Sequence, residues 1–240
     1  MTFVPSNEMD FPENRCNTLK SMGKSMWRFQ RYMGKPGAYH FCMGKKIIGL
    51  LGSPLPEGNS AKLLDRALKG AEDAGCEVEK IIVPFLEFEP CMEIFFCVEH
   101  ETCQMEDDMT PIYDKFRNFD GIIIASPIMT MGIPGKLKSF MDRFQVFFMA
   151  KFLRKSPLVP DEKRKKREGL FISISGMNIP EVFDGAKMTV KAFFTIIDVK
   201  YRDELLIRDM DHIQDITTHP ELLEEAYKKG FALGKRIAES

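Results

Sequence analysis

Small and polar residues fill the stretch GSPLPEGNS (52–60), which joins an apolar run to an amphipathic one. Glycines there let the backbone approach a ligand closely. The first N–H groups of a helix have no intrahelical partner, and the helix dipole favours negative charge at that end. The stretch predicts a phosphate cradle, unlike a P-loop or a G-x-G-x-x-G turn, formed by Ser53, Pro54, Gly58, Asn59 and Ser60. An ordinary polar turn with Asn59 or Ser60 as helix cap is the alternative.

A second stretch, SPIMTMG (126–132), follows another apolar run. In a flavodoxin-like strand order both stretches border one crevice. Backbone groups and polarizable side chains at this place suit a flat heteroaromatic ring, held by Pro127, Ile128, Met129, Thr130, Met131 and Gly132. Ser175 and Gly176, at the end of a later strand, could line its far side. A phosphate cradle next to a ring ledge predicts a mononucleotide such as FMN.

Six cysteines stand at positions 16, 42, 76, 91, 97 and 103. Without a secretion signal, a metal or redox role or free thiols is favoured over a disulfide framework. Three of them, Cys91, Cys97 and Cys103, lie within thirteen residues. Together with His100 they also offer the ligand types of a tetrahedral zinc site.

Apolar strand-like runs alternate with amphipathic helical stretches from Lys45 onward. The pattern predicts an α/β fold: a doubly wound, five-stranded parallel sheet with helices on both faces. The predicted strands are 45–52, 77–85, 121–128, 169–175 and a fifth entered from the helical run 190–201; the predicted helices include 61–75, 109–119, 135–148 and 220–240. Residues 1–44 stand outside the pattern as an N-terminal extension, either an ordered arm or disordered, and residues 45–240 form one domain.

The composition is that of an ordinary globular protein, with 44% hydrophobic residues, 29% charged residues and a net charge of −1. This balance gives no general preference for nucleic acid. No apolar run reaches the roughly 18 residues of a membrane span, and no secretory signal is present. We therefore expect a cytoplasmic protein with neither a membrane nor a nucleic acid as partner.

Charge is distributed unevenly along the chain. Residues 84–109 hold eight acids and no Lys or Arg, whereas residues 151–168 hold eight bases against three acids and include KRKKR at 163–167. Two solvated loops are one interpretation. The other is that the segments recognise each other between subunits or capture an anionic cofactor.

Five signatures in order resemble those of the NADPH-dependent FMN reductases and their relatives, the iron–sulfur flavoproteins. They are GSPLPEGNS, PC-x5-C-x5-C, EDDM, DGIIIASPI and G-x-LKSFMDR, and the resemblance spans roughly residues 46–238. It implies a flavodoxin-like fold with FMN on the first loop and on the S-P-x-x loop. It also implies a homodimer or homotetramer with the flavin at a subunit interface.

Iron–sulfur flavoproteins carry a compact C-x2-C-x2-C-x5-C motif, so the resemblance raises the question of a cluster. Cys91, Cys97 and Cys103 match three positions, but Ile94 occupies that of the second cysteine. A [4Fe–4S] cluster normally takes four thiolates. It would need a further ligand, for which Cys42, Cys16 and His100 are the candidates; the alternative is that the three cysteines are free thiols.

The activity implied by the resemblance is that of an NAD(P)H oxidoreductase. NAD(P)H would pass a hydride to N5 of FMN, and electrons would then go to a quinone, free flavin or another acceptor in a ping-pong cycle. The flavin carries this chemistry, so no side chain is assigned as a catalyst. Asp142 and Arg143 are predicted to form a structural or interface ion pair.

Two other functions stay open at this stage. An iron–sulfur flavoprotein could act as an electron carrier for a protein partner, which the acidic segment 84–109 favours as a docking surface. A flavin-free interaction protein is favoured by Leu55 and Met129, which replace an Arg and an aromatic residue that the family often carries.

Overall fold

A computed structural model describes residues 44–240, whose centre is a parallel sheet of order β2-β1-β3-β4-β5. The strands are β1 (Lys46–Leu51), β2 (Glu77–Ile82), β3 (Gly121–Pro127), β4 (Glu168–Ile174) and β5 (Lys200–Ile207). This order confirms the predicted flavodoxin-like fold. The predicted extension, residues 1–44, lies outside the described residues except for Gly44.

Helices cover both faces of the sheet. They are α1 (Asn59–Asp73), α2 (Met109–Asn118), α3 (Gly135–Asp142), α4 (Gln145–Phe148), α5 (Asp161–Arg164), α6 (Asp184–Ile196), α7 (Met210–Ile213) and α8 (Pro220–Ala238). Buried side chains of α1 and α8 pack on one face, and those of α2, α3 and α6 pack on the other. Both faces of the central strands are therefore apolar, which explains their almost continuous Ile and Leu content.

The predicted single helix over 135–148 is wrong, because the helix breaks after Asp142. The N–H of Phe144 bonds the carbonyl of Met141 at 3.1 Å, which tightens the turn. The carbonyl of Arg143 accepts instead from the hydroxyl of Tyr113 at 3.2 Å. A short π-helical turn, Met149–Leu153, then follows α4.

One strand boundary also differs from the prediction. β2 ends at Ile82, and a 3-10 turn over Val83–Phe85 contains Pro84, which has no N–H to give to a sheet. The run 190–201 does pass from a helix into the fifth strand, since α6 ends at Ile196 and β5 begins at Lys200. β5 extends to Ile207, so the loop after it is 208–219.

The chain crosses over β1 between β2 and β3, so β1 and β3 are neighbours that belong to opposite halves of the winding. Their register pairs Leu51 with Ala125, and both strands end at the same edge of the sheet. The loops that leave these two ends, 52–58 and 128–134, therefore start side by side at the topological switch point.

Candidate functional site

The first loop leaves the sheet at a tightly held position. The N–H of Gly52 bonds the carbonyl of Ala125 at 2.8 Å. A Cβ on Gly52 would lie 2.5 Å from Cδ2 of Leu137, so a larger residue fits only if the Leu137 side chain moves. Ser53, which is buried, accepts a hydrogen bond from the N–H of Leu55 at 3.2 Å and so shapes the turn that follows.

Gly58 caps α1 with extended backbone and no side-chain cap, so the alternative of Asn59 or Ser60 as the cap is wrong. The N–H groups of Asn59, Ser60 and Ala61 in the first turn bond no acceptor within the described part of the chain. They are three adjacent donors at the positive end of a 15-residue helix. Three such donors are what the predicted phosphate cradle would need, and their assignment to a phosphate stays a prediction.

Two serine hydroxyls near the switch point are buried without a hydrogen-bond partner. Ser60 is 2% exposed and Ser126 is fully buried, and neither Oγ has an acceptor or donor in the structure of residues 44–240. A buried hydroxyl left unsatisfied costs about 1–3 kcal/mol. Ser60 Oγ is out of solvent contact in this conformation, so a rotation about χ1 is needed to bring it against a phosphate. Sequence reasoning did not assign Ser126.

The side chain of Asn59 forms hydrogen bonds with the loop after β5 and does not face the open crevice. Its Nδ2 donates to the carbonyl of Gln214 at 2.7 Å, and its Oδ1 accepts from the N–H of Ile216 at 3.1 Å. Lys62, one turn later, pairs with Asp215 at 2.9 Å. Asn59 therefore offers its backbone N–H to a ligand, while its side chain positions the neighbouring loop. The sequence analysis set no end to the fifth strand and assigned no role to this loop.

The second loop forms a tight turn that stands out from the sheet. Met129 and Gly132 exchange two backbone hydrogen bonds of 2.8 and 3.0 Å. Between them Thr130 and Met131 both adopt positive φ, 50° and 61°, a conformation that costs non-glycine residues about 1–3 kcal/mol each. Met129 is 45% exposed and Met131 is 40% exposed. The turn thus presents two soft apolar side chains on a strained backbone.

Ile128 and Pro127 connect that turn to β4, since the N–H of Ile128 bonds the carbonyl of Ile174 at 2.8 Å. Ser175 is buried and exchanges backbone hydrogen bonds with Ile207 and Met210. A Cβ on Gly176 would lie 2.4 Å from Oδ1 of Asp211. Ser175 thus holds the loop after β5 through backbone hydrogen bonds, and Asp211 occupies the space beside Gly176.

FMN fits the residues present at the switch point. The first turn of α1 supplies three unpaired N–H groups, and Ser60 supplies an unsatisfied hydroxyl, for a phosphate. The exposed Met129 and Met131 stand on the adjacent loop, where an isoalloxazine ring would need apolar contacts. Pro54 and Gly58 lie in the connecting loop between Ser53 and α1. The assignment of these residues to FMN stays a prediction.

Three cysteines line a second cavity, of about 100 Å³, on the loop between β2 and α2. They are Cys91, Cys97 and Cys103, all half-buried thiols. Burial raises the pKa of Cys97, and the neighbouring thiols of Cys103 and Cys91 raise it further. A four-thiolate cluster does not fit here, because Ile94 occupies the place of the second cysteine of the motif and is 49% exposed.

Two alternatives for the cysteines lose support. His100 does not line the cavity; its ring stacks on Phe96 with centroids 3.7 Å apart, and its Nδ1 lies 3.0 Å from the Phe96 carbonyl. Within residues 44–240 no group of three His, Cys, Asp or Glu side chains could hold a single metal ion, so the zinc site considered as an alternative has no support. Cys16 and Cys42 lie outside the described residues.

Arg143 joins the two ends of the loop that contains Cys91, Cys97 and Cys103. Its guanidinium is 1% exposed and forms two hydrogen bonds to Asp107, of 2.6 and 3.1 Å, and one to the carbonyl of Glu89, of 2.7 Å. Burial lowers the pKa of Arg143, but the hydrogen bonds to Asp107 and the neighbouring acidic groups together outweigh burial and raise the pKa above its ordinary value. The predicted pair between Asp142 and Arg143 is wrong, since Asp142 pairs with Lys138 at 2.6 Å.

The basic run KRKKR (163–167) is not a free cationic surface. Arg167 is 1% exposed and donates to the carbonyls of Phe116, Arg117 and Ile197. Lys163 pairs with Asp120 at 3.0 Å. Only Lys165 and Lys166 of this run are exposed and without an ion pair in the described structure. Most of the run therefore serves the fold, which weakens its interpretation as a recognition segment.

Comparison with protein families places the chain next to flavin reductases. The model of the family described as NADPH-dependent FMN reductase matches residues 45–179, more than half of the chain. No helix within residues 44–240 combines the length and apolarity that crossing a bilayer requires.

Two similar proteins are iron–sulfur flavoproteins of archaea. One from Methanocaldococcus jannaschii is 40% identical over 98 residues, which are 41% of this chain and 51% of that protein. One from Archaeoglobus fulgidus is 29% identical over 195 residues, 81% of this chain and 80% of that protein. The chain thus spans about half the length of the first relative and most of the second.

Among solved structures, the NAD(P)H:quinone oxidoreductase from Methanothermobacter marburgensis superposes with a TM-score of 0.57. The alignment covers 79% of this chain and 97% of that one, at 16% sequence identity. At this identity the superposition supports the flavodoxin-like fold alone.

Proposed function

Because the chain belongs to the NADPH-dependent FMN reductase family, we propose that it is an FMN-dependent NAD(P)H oxidoreductase that delivers electrons to a quinone, a flavin or another acceptor. The observation that carries this proposal is the pairing of two loops at the switch point. One offers unpaired N–H groups and a buried hydroxyl, and the other offers exposed methionines. When bound, FMN would supply the hydride and electron transfer.

The residues of the chain itself would bind FMN and orient it. The N–H groups of Asn59, Ser60 and Ala61 would hold the phosphate, with the hydroxyls of Ser53 and Ser60 beside them. The strained turn at Met129–Gly132 would hold one edge of the ring, since its backbone is already fixed by two hydrogen bonds. Because this turn needs no reordering on binding, little conformational entropy is lost.

A ping-pong order follows if NAD(P)H and the acceptor bind to the same surface, one after the other. The apolar side chains exposed at this edge of the sheet include Leu55, Met129, Met131, Met177 and Ile179. They suit the flat faces of a nicotinamide, a quinone or a second flavin, and none carries a charge that would select one of them. We therefore propose alternate occupation of this surface by donor and acceptor.

The acidic segment supports a second candidate, an electron carrier that docks a basic protein. Its glutamates at 87, 89, 93, 99, 101 and 106 are exposed, and no ion pair within residues 44–240 engages them. Anaerobic mixing with NADPH separates the candidates. Rapid bleaching of the flavin supports the oxidoreductase, and bleaching only by a reduced protein donor supports the carrier.

We also propose a homodimer or homotetramer. Around the π-helical turn, Phe148, Phe152 and Leu153 are 38%, 39% and 57% exposed, and the two phenylalanine rings pack 4.9 Å apart. An exposed apolar group of this kind suits a subunit contact. Sedimentation of the wild type and of Leu153→Asp tests it: a smaller species in the variant supports the contact, and an unchanged species rejects it.

Titration with FMN tests the binding site. Ser60→Ala removes an unsatisfied hydroxyl, so we expect no loss of stability in the absence of FMN, but a Kd for FMN about 5–10-fold higher because a bond to the phosphate is lost. Ser173→Ala is the matched control, since its buried hydroxyl already donates to the carbonyl of Ser126 at 2.9 Å. It should lower stability by about 1 kcal/mol and leave the Kd unchanged. Wild-type protein that fails to quench FMN fluorescence would refute the proposal.

A further inference from the structure

The loops at the carboxyl edge of the sheet are rich in carboxylates. Five loops leave the strands at this edge, at 52–58, 83–108, 128–134, 175–183 and 208–219. Histidines aside, Arg208 is the only basic residue in them, against thirteen Asp and Glu residues. The phosphates of a ligand that enters the crevice through these loops are therefore repelled by most of the charges there and attracted by one.

Lysines near the starts of the helices that follow these loops already have partners. They are Lys62, which pairs with Asp215; Lys136, which donates to the carbonyl of Phe88; Lys138, which pairs with Asp142; and Lys187, which pairs with Glu204. Arg208, by contrast, is exposed, and its side chain forms no ion pair or hydrogen bond within residues 44–240. Its guanidinium can therefore bind a ligand without first giving up a partner.

The backbone on both sides of Arg208 is fixed. The carbonyl of Ile207, the last residue of β5, accepts from the N–H of Ser175 at 2.9 Å. The N–H of Asp209 bonds the carbonyl of Met177 at 3.4 Å, and Asp209 adopts positive φ, 66°. Arg208 is thus anchored beside the loop after β4, so a ligand has to order little more than its side chain.

This position borders the apolar surface proposed for the nicotinamide. On the loop after β4, Met177 is 45% exposed and Ile179 is 40% exposed. β5 lies two strands from β3, which is about 10 Å at the ordinary strand spacing. Arg208 is therefore displaced from the turn at Met129–Gly132 toward the edge of the sheet, where the phosphates of a dinucleotide would extend beyond its nicotinamide.

From these observations, and resting on the proposed function, we propose that Arg208 binds a phosphate group of NAD(P)H. A guanidinium is planar and presents paired N–H donors that match the oxygens of a phosphate. Two groups supply this chemistry: the pyrophosphate of both dinucleotides, and the 2′-phosphate that NADPH alone carries. Because the neighbouring loops carry carboxylates, phosphates placed elsewhere along this edge are disfavoured, so Arg208 would also set the orientation of the dinucleotide.

Anaerobic reduction of the FMN-loaded protein by NADPH and by NADH tests the proposal. In Arg208→Gln we expect the dinucleotide concentration that gives half the limiting rate to rise about 10-fold or more, because charge-assisted hydrogen bonds are lost. The limiting rate should change little. A rise with both dinucleotides assigns Arg208 to the pyrophosphate, and a rise with NADPH alone assigns it to the 2′-phosphate. Arg208→Lys should restore part of the affinity, since it keeps the charge without the paired donors.

Lys200→Gln is the matched control. Lys200 is exposed at the opposite end of β5, and its side chain forms no ion pair in the described part of the chain. The variant therefore removes the same charge from the same strand, away from the crevice. It should leave the half-maximal concentrations of both dinucleotides unchanged.

Unchanged half-maximal concentrations in Arg208→Gln, or a fall in its limiting rate alone, would overturn the proposal. A higher Kd for FMN without an effect on either dinucleotide would also overturn it, since Arg208 would then serve the flavin phosphate. A wild-type protein that binds FMN but is reduced by neither dinucleotide rejects the oxidoreductase and the role of Arg208 together. A wild type that is reduced normally, and that Arg208→Gln matches, rejects the role of Arg208 alone.

Discussion

Asn59 and Gln214, 155 positions apart in the sequence, are joined by a 2.7 Å hydrogen bond from the Asn59 side chain to the Gln214 carbonyl. The same side chain accepts from the N–H of Ile216. The start of α1 and the loop after β5 are therefore one unit. Whatever fixes that loop also fixes the three N–H groups proposed to hold a phosphate.

Replacing Asn59 with Ala should loosen this unit. Two hydrogen bonds are lost and two backbone groups are left without partners, so we expect the free energy of unfolding to fall by about 1–3 kcal/mol. The Kd for FMN should rise as well, because the loop after β5 no longer holds the first turn. Lys62→Met, which removes only the exposed pair with Asp215, should cost about 0.5 kcal/mol or less. Urea denaturation and FMN titration of both variants measure these effects. Equal stability of the two variants would contradict the role of Asn59.

Removing the buried Arg143 should be costly. Arg143→Met leaves Asp107 and the Glu89 carbonyl without their buried partner, so we expect a loss of about 3–5 kcal/mol. The loop from 90 to 106 should also become more sensitive to protease, because its two ends are no longer joined. Lys138→Met breaks an exposed i, i+4 pair with Asp142 and should cost less than about 0.5 kcal/mol. Thermal denaturation and limited proteolysis compare the two; similar behaviour would count against this role for Arg143.

Glu168 should make stability depend on pH. Its partial burial raises the pKa, but hydrogen bonds from Arg202 and Arg236 outweigh burial and hold the pKa below the ordinary value of 4.5. A lowered carboxyl pKa adds stability that is fully present above pH 4.5 and is lost as the pH falls through the pKa of the folded state. Glu168→Gln should therefore be less stable than the wild type at pH 7, and the difference should shrink below pH 4.5.

Urea titrations from pH 3 to pH 7 would follow that difference. The control is Glu77→Gln, which breaks an exposed pair with Lys46 at 3.4 Å and should give a small difference at every pH. A constant difference between Glu168→Gln and the wild type across this range would show that Glu168 does not titrate as proposed.

The contact between α1 and α8 should not tolerate a methyl group. A Cβ on Gly230 would lie 1.9 Å from the carbonyl oxygen of Ala67, so Gly230→Ala must push the helices apart. We expect a cost of about 3 kcal/mol or more. Gly135→Ala is the matched control, because a Cβ there meets nothing within 4 Å. Since Ala favours a helix over Gly by about 1 kcal/mol, that variant should be neutral or more stable. Chemical denaturation of both proteins gives the comparison.

Much of the fold was predictable because the buried strands are short, apolar and bounded by turn residues. β1, β3 and β4 lie within one residue of their predicted limits. The run 190–201 was predicted to pass from a helix into the fifth strand, and it does, but the end of that strand at Ile207 was not predicted. The break at Arg143 was also hidden, since it depends on the hydroxyl of Tyr113, thirty positions away.

The site divides in the same way. The placement of loops 52–58 and 128–134 follows from strand order alone, so sequence reasoning could reach it. The side-chain partners could not be reached, because Asn59 meets Gln214 and Arg143 meets Asp107 only once the chain is folded. The run KRKKR shows the opposite error: its charges suggested a recognition surface, yet Arg167 lies under α2 and α6 and bonds their carbonyls.

The packing at Gly52 has a mechanical consequence for the crevice. Its N–H bonds the carbonyl of Ala125 in β3, and a Cβ at this position would meet Leu137, so the start of the first loop is closely packed. The tip of the second loop is held as well, through two backbone hydrogen bonds between Met129 and Gly132. Both walls of the crevice are thus set before a ligand arrives. We therefore expect the crevice to select ligands by their thickness and not to adapt to them.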